Sequence, residues 1–304
     1  VDGVAEVVAQ RRHLLSLAYR MLGTLAEAED AVQETYLRWY RMTDAERAAV
    51  VHPERWLTRV ASRVCLDVLG SARYRRERYV GEWLPEPVPA DLFSRTVSGR
   101  VAVDPVEQVT LDESVSTAVL VVMEAMTPAE RVAFVLHDVF GLPFPEIAEV
   151  VDRTPAAVRQ LASSARRRVR EHDPVGGDRH EHDRVVRAFV RAAGTGDLAA
   201  LAALLDPSVA LRSDGGGVVS AARRPVLGVD EVARFLLGIV RKNPGMDVAE
   251  VLTGDGLAYR FRDGPALRAL LNLRVRDGLV TDVWIQLNPG KLGSWVATPD
   301  QRSP

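Results

Sequence analysis

The chain has 304 residues, 47% hydrophobic and 26% charged, with a formal net charge of −2. That length accommodates two or three domains with cores of their own, and the charge balance excludes a uniformly basic or acidic binding protein. One cysteine, Cys65, excludes an internal disulfide framework and a thiolate metal cluster, and no apolar run is long enough to cross a bilayer.

Residues 1–80 read as a helical domain. Leu14, Leu15, Leu17, Ala18, Met21 and Leu22 recur at helical spacing. A second helix is predicted over Leu25–Arg41, and a third starts at Pro53, where proline fits the first turn. Cys65 sits in an apolar pattern with Val60, Val64, Leu66 and Leu69, which predicts a buried thiol. Trp56 is assigned to the core. Asp30, Gln33, Glu34 and Arg38 fall at helical spacings and form a polar stripe, while Met42–Val51 reads as a plain loop. At the end of this block Arg73, Tyr74, Arg75, Arg76, Arg78 and Tyr79 interleave cations with aromatic rings, a combination suited to phosphate contact and base stacking on a single strand. Residues 81–110, with Pro85, Pro87, Pro89 and Pro105 and little periodicity, read as a linker.

Residues 111–172 return to helix, with a marked asymmetry of charge. Leu111–Asp152 holds eight acids and one base, Arg131, whereas Arg153–Arg170 holds six arginines and no acid. Thr154 followed by Pro155 is a helix start, a hydroxyl cap and then a proline. Beyond it Val158, Leu161, Ala162, Ala165 and Val169 share one face, expected to pack on Phe144, Ile147, Ala148 and Val151 of the preceding helix. This is the pattern of a helix-turn-helix, with Asp152 in the turn where glycine is usual. The docking geometry of such units assigns Arg159 and Gln160, nearest the helix start, to base edges, with Ser163 beside them on the same face. Arg153 and Thr154 in the turn and Arg166, Arg167 and Arg170 further along complete the predicted duplex-binding set. After Val175-Gly176-Gly177-Asp178 the character changes. From about Asp183, helical runs and then short alternating runs (VALRS, VVSAA, DVAEVLT, LAYRFR, LRALLNLRVR, LVTDVWIQL) predict an α+β domain with a curled antiparallel sheet.

The segments AEAEDAVQETYLRWYR (26–41), PERWLTRVASRVCLDVL (53–69) and Met126 through Arg170, in that order, resemble the extracytoplasmic-function (ECF) sigma factors of bacterial RNA polymerase. The resemblance implies a multidomain fold: a σ2 bundle over 1–80, the linker 81–110, a σ4 helix-turn-helix domain over 111–172 and a SnoaL-like (NTF2-like) α+β cone over 183–304. It implies core RNA polymerase, through its clamp helices and flap, and promoter DNA as partners, in a monomeric cytoplasmic protein. Asp30, Gln33, Glu34 and Arg38 would meet the polymerase, the segment 73–79 would hold the melted −10 element, and the basic helix would read the −35 element.

Three short motifs carry the resemblance into the C-terminal block: Trp83-Leu84-Pro85-Glu86-Pro87, Asp214-Gly215-Gly216-Gly217 and Asn288-Pro289-Gly290-Lys291-Leu292. They nominate Trp83, Pro85, Asp214, Gly215, Gly216, Asn288, Pro289 and Lys291 as an interdomain regulatory set. Val218 and Gly290 depart from the family's lysine and acid. Enzymes occur among relatives of the cone, yet all six histidines (His13, His52, His137, His172, His180, His182) precede it. Tyr259, Asp214, Asp255 and other carboxylates remain as acid–base candidates. The reading is therefore no catalytic residue, no metal and no cofactor, with a small ligand in the cone as a route of control. The competing readings are a ligand-sensing repressor and a SnoaL-type enzyme fused to a DNA-binding module.

Overall fold

The computed structural model describes residues 9–76, 79–93, 116–172 and 179–296. It divides into two compact units: residues 1–77, 96–115 and 119–174 form the first, and residues 78–95, 116–118 and 175–304 the second.

The first unit is helical. Helices α1 (Arg11–Leu22) and α2 (Leu25–Arg41) meet at a sharp corner, because Gly23 adopts φ 81° and Thr24 caps α2 by accepting from the Glu27 N–H. The segment expected as a plain loop holds a short helix, α3 (Asp44–Ala48). Thr43 and Glu46 form a reciprocal capping box, and Arg47 donates to the Met42 carbonyl at 2.5 Å, closing the end of α2. The long helix α4 (Pro53–Arg76) starts at its proline as expected and buries Leu57, Ala61 and Cys65. Burial pushes the Cys65 thiol up, as an inert core group. Trp56 is only part-buried and meets the buried Trp39 edge-on at 5.1 Å.

Helices α5 (Thr117–Glu124), α6 (Pro128–Phe134), α7 (Phe144–Val151) and α8 (Pro155–His172) follow, with a π-helical turn at Val135–Val139 closing α6. The two helical stretches pack together within this unit. Arg59 pairs with Glu149 at 2.7 Å, and Arg63 donates to the Glu149 carbonyl at 2.7 Å. Arg131, the one base in an acidic stretch, is 3% exposed. Its guanidinium donates to the Met21 carbonyl (2.9 Å) and the Met123 carbonyl (3.0 Å) and pairs with Glu124 (2.7 Å). One cation thus satisfies carbonyls near the ends of α1 and α5, which have few partners within their own helices.

The second unit carries α9 (Arg179–Thr195), α10 (Leu198–Ala203), α11 (Val229–Lys242) and a six-stranded sheet in the order β2-β1-β6-β5-β4-β3. The strands are β1 (Leu205–Asp214), β2 (Val226–Leu227), β3 (Asp247–Thr253), β4 (Gly256–Asp263), β5 (Ala266–Arg276) and β6 (Leu279–Gln286). The sheet is mixed rather than antiparallel, because β1 pairs with β6 in parallel, Leu211 opposite Val283 and Ser213 opposite Ile285. The run VVSAA is not a strand. Gly216 and Gly217 take φ 64° and 72°, and the N–H groups of Val218 and Val219 both return to the Gly215 carbonyl. The glycines turn the chain before pairing can begin.

One apolar core lies between the sheet and helices α9, α10 and α11, built from Val186, Phe189, Leu201, Leu211, Val232 and Val283, among others. The described part of the proline-rich segment, residues 81–93, is not a solvated spacer, and residues 94–110 of the expected linker lie outside the described residues. Leu84, Pro85, Glu86, Pro87 and Val88 are buried in the second unit, and Pro89 bridges to Thr253 of β3. Among the described residues no helix is long and apolar enough to span a membrane.

Arg131→Met keeps the side-chain bulk but withdraws the cation shared by Met21, Met123 and Glu124. Denaturant unfolding of the variant is expected to show a loss of about 3 kcal/mol, the scale for breaking a buried charged contact. A loss below about 0.5 kcal/mol would contradict this role.

Candidate nucleic-acid interface

The turn between α7 and α8 supplies the geometry of the basic helix. Asp152 ends α7 in the left-handed region at φ 52°, a conformation its short polar side chain tolerates in place of glycine. Thr154 then accepts from the Ala157 N–H at 3.2 Å, so its hydroxyl caps α8, and the Arg153 side chain folds back on the Asp152 carbonyl. Val158, Ala162 and Ala165 are buried against α6 and α7. The opposite face exposes Arg159, Gln160, Ser163, Arg167 and Arg170 within an arc of about 100° at 3.6 residues per turn.

The six arginines are therefore not equivalent. Arg166 pairs with Asp138 of the π-turn at 3.0 Å, and Arg168 lies 3.9 Å from Glu130 and donates to the Ala125 carbonyl at 3.3 Å. Burial holds the Asp138 carboxyl above its usual range, although Arg166 and His137 oppose the shift. Glu130 is also partly buried, yet its carboxyl lies below the usual range, because bonds from Thr127 and Ser164 and the charge of Arg168 outweigh desolvation. Arg166, expected on phosphate, sits at the edge of the exposed face and is partly neutralised from behind.

The polar stripe of α2 is present as a surface. Asp30, Gln33 and Arg38 are exposed, and Arg38 pairs with Glu34 at 2.8 Å. Leu37 and Tyr40 are exposed beside it, at 44% and 50%, an apolar contribution that the polar pattern concealed. Of the cation–aromatic segment, Arg73, Tyr74, Arg75 and Arg76 form the last turn of α4; their side chains, and Arg78 entirely, lie outside the described residues.

Tyr79 departs from that segment. It belongs to a cluster in the second unit centred on Asp214, whose carboxylate is fully buried. One oxygen accepts from the Tyr79 hydroxyl (2.5 Å) and the Gly216 N–H (2.9 Å); the other accepts from the Leu84 N–H (3.0 Å) and the Lys291 ammonium (2.7 Å). Those donors match the acceptor capacity of an ionised carboxylate, which makes a buried charge tolerable. Lys291 also donates to the Leu84 carbonyl and lies over the Trp83 ring at 4.1 Å. Asn288 donates to the Tyr79 oxygen at 3.0 Å, while Gln286 and Trp295 donate to the carbonyls of Pro85 and Pro87. Burial and the Asp214 charge push the Tyr79 hydroxyl well above the usual tyrosine range.

Trp83, Pro85, Asp214, Gly215, Gly216, Asn288 and Lys291 thus lie in or beside one cluster, whereas Pro289, next to Asn288 in the chain, is exposed. A Cβ on Gly215 would stand 2.0 Å from the Val219 carbonyl, and one on Gly216 2.5 Å from the Asn288 side chain. Val218, where the family's pattern has lysine, is 79% exposed. The Gly290 N–H is bonded to Asn288, and the position is exposed.

A second attachment escaped sequence reasoning. Asp255, in the β3–β4 turn, accepts from both the Thr117 N–H and the Thr117 hydroxyl at 2.6 Å, capping the start of α5. Asn272 donates to the same carboxylate at 2.8 Å. The Ala90 N–H donates to the Leu252 carbonyl, so one hairpin receives both residues 89–90 and residue 117. The three named acid–base candidates, Asp214, Asp255 and Tyr259, each make such bonds. Tyr259 donates to Glu250 at 3.1 Å, and its hydroxyl is pushed up to about 12 by burial and by the Glu250 charge. His182, expected in a solvated linker, lies on α9 with its ring on Asp183 and the Leu273 carbonyl, and the His172 side chain is outside the described residues. Among the described residues no group of side chains is arranged to hold a metal.

Residues 7–78 match the family Sigma-70 region 2, and residues 116–169 match Sigma-70, region 4. The chain is 43% identical over 300 residues to the ECF RNA polymerase sigma factor SigJ of Mycobacterium tuberculosis, covering 95% of this chain and 92% of that one. It is 36% identical to the probable ECF RNA polymerase sigma factor SigI of the same species, covering 93% and 92%. A crystal structure of M. tuberculosis SigJ aligns with a TM-score of 0.71 at 40% identity, covering 96% of this chain and 98% of that one.

Gly216→Ala tests the motif cluster. At φ 64°, with the Asn288 side chain in the way, the added methyl is expected to lower stability by about 2 kcal/mol in denaturant unfolding. A change within about 0.5 kcal/mol would show that the close approach is not required.

Proposed function

The chain belongs to the ECF sigma factors, and on that footing we propose that its C-terminal domain regulates promoter recognition in cis by holding the segment that joins the two sigma regions. Promoter recognition for RNA polymerase is the family's activity, and transcription factors rather than enzymes are its members. Within that activity, the exposed face Arg159, Gln160, Ser163, Arg167 and Arg170 is suited to reading the duplex −35 element. The stripe Asp30, Gln33, Glu34 and Arg38, with Leu37 beside it, is suited to docking on the polymerase clamp helices. The segment 73–78 is suited to the melted −10 strand, where cations meet phosphate and rings stack on bases.

The observation carrying the regulatory reading is the buried Asp214–Lys291 pair, which binds the Tyr79–Leu84 stretch directly after that strand-binding segment. The Asp255–Thr117 cap supports it at the other end of the interdomain segment. The cone thereby sets the distance between the two anchors, which limits how far the sigma regions can be placed from one another. Tyr79 cannot both donate to buried Asp214 and leave the cluster to stack on a base. Binding of promoter or polymerase to a form with segment 79–88 released would therefore shift the population towards release, in proportion to its preference for that form.

In vitro transcription with core polymerase tests the reading. Full-length protein and a chain truncated after Glu171 are expected to differ in output or in promoter choice. Identical output from both on every promoter would remove the cis-regulatory role while leaving sigma activity intact.

A further inference from the structure

Phe144, expected in the core beneath the basic helix, is only part-buried, and its ring meets two polar side chains. The His137 imidazole stacks on it with centroids 4.1 Å apart and planes 7° from parallel. The Arg159 guanidinium lies over the same ring, 5.3 Å from its centroid. His137 comes from the π-turn, where the Phe140 N–H reaches back to the Val135 carbonyl. Such turns insert an extra residue into a helical register and recur at functional sites. Here the turn presents two successive residues towards α8: Asp138 meets Arg166, and His137 supports Phe144.

We propose that the His137–Phe144 stack is the platform that orients Arg159 for base contact, making Phe144 a specificity-determining residue of the −35 reader. The inference rests on the reading that Arg159 meets base edges and adds what holds it there. An exposed arginine samples many rotamers, and recognition of a base edge by a planar guanidinium requires one plane. A flat aromatic face restricts that plane and favours the cation over it, and His137 in turn fixes the tilt of the ring. Phe144 acts through Arg159 and is a positioning residue rather than a contact residue.

The test measures base preference of the full-length protein in holoenzyme with core polymerase, on promoters randomised through the upstream duplex element. Arg159→Ala is expected to reduce discrimination at its contacted base about tenfold. Phe144→Leu, which keeps apolar bulk but removes the π face, is expected to reduce discrimination at the same base roughly threefold to tenfold. It should add nothing further in the Arg159→Ala background, and Phe144→Trp should retain the preference. Melting of each full chain is followed in parallel, and His137→Leu carries the same expectation should Phe144→Leu fail to fold. Loss of preference with Arg159→Ala but not with Phe144→Leu or His137→Leu overturns the platform. Equal loss with Phe144→Trp and Phe144→Leu also overturns it, since any change of shape would then suffice. An unchanged preference with Arg159→Ala overturns the base-reading assignment itself, and the platform with it.

Discussion

A carboxylate with no access to water must be given donors, and the second unit is organised by how Asp214 obtains them. Its four partners come from three separated stretches of chain: Tyr79 and Leu84, Gly216, and Lys291. A buried charge of this kind contributes little net stability compared with an apolar replacement, but losing one partner is costly. It therefore favours one arrangement over others. The segment after the last turn of α4 is seated because the carboxylate needs its amide and hydroxyl, and Lys291 is seated because the same carboxylate needs a counter-ion. The Trp83 ring and the Leu84 carbonyl complete the shell around the ammonium. Conversion of a proline-rich connection into a buried, hydrogen-bonded strap follows from that one requirement.

The basic helix obeys the complementary rule that charges of one sign are arranged by those of the other. Five arginines on one helix repel one another, and Asp138 and Glu130 offset part of that repulsion at Arg166 and Arg168. What remains exposed is a narrow stripe headed by Arg159 and Gln160, at the end of the helix that enters a major groove first in helix-turn-helix docking. Local order in the reader thus depends on the π-turn and α6 behind it as much as on the helix itself.

Much of this was legible in the sequence because the signals are local. The caps Thr154-Pro155, the apolar spacing from Val158 to Ala165, the helix over Leu25–Arg41 and the start at Pro53 each depend on residues within a turn or two. The three motif patches were recognisable, and their convergence on one cluster follows the resemblance. The Thr43–Glu46 capping box was also readable, and it would have found α3. Other features depended on pairings that sequence spacing does not encode. Parallel pairing of β1 with β6 brings together strands far apart in the chain, and an alternating run looks the same in either direction. Nothing local marks Asp255 as the cap of α5, nor Asp138 as the partner of Arg166. Phe144 read as core because an aromatic residue on an apolar face ordinarily is; the π-turn that puts His137 beneath it has no simple periodic signature.

Hydrogen exchange at the Leu84 amide reports most directly on whether the buried carboxylate seats the strap. In the free full-length protein this N–H, bonded to Asp214, should exchange on the slow scale of core strand amides such as Leu271, orders of magnitude below an open chain. Exchange at the rate of an exposed loop amide would mean that the segment is not held by Asp214.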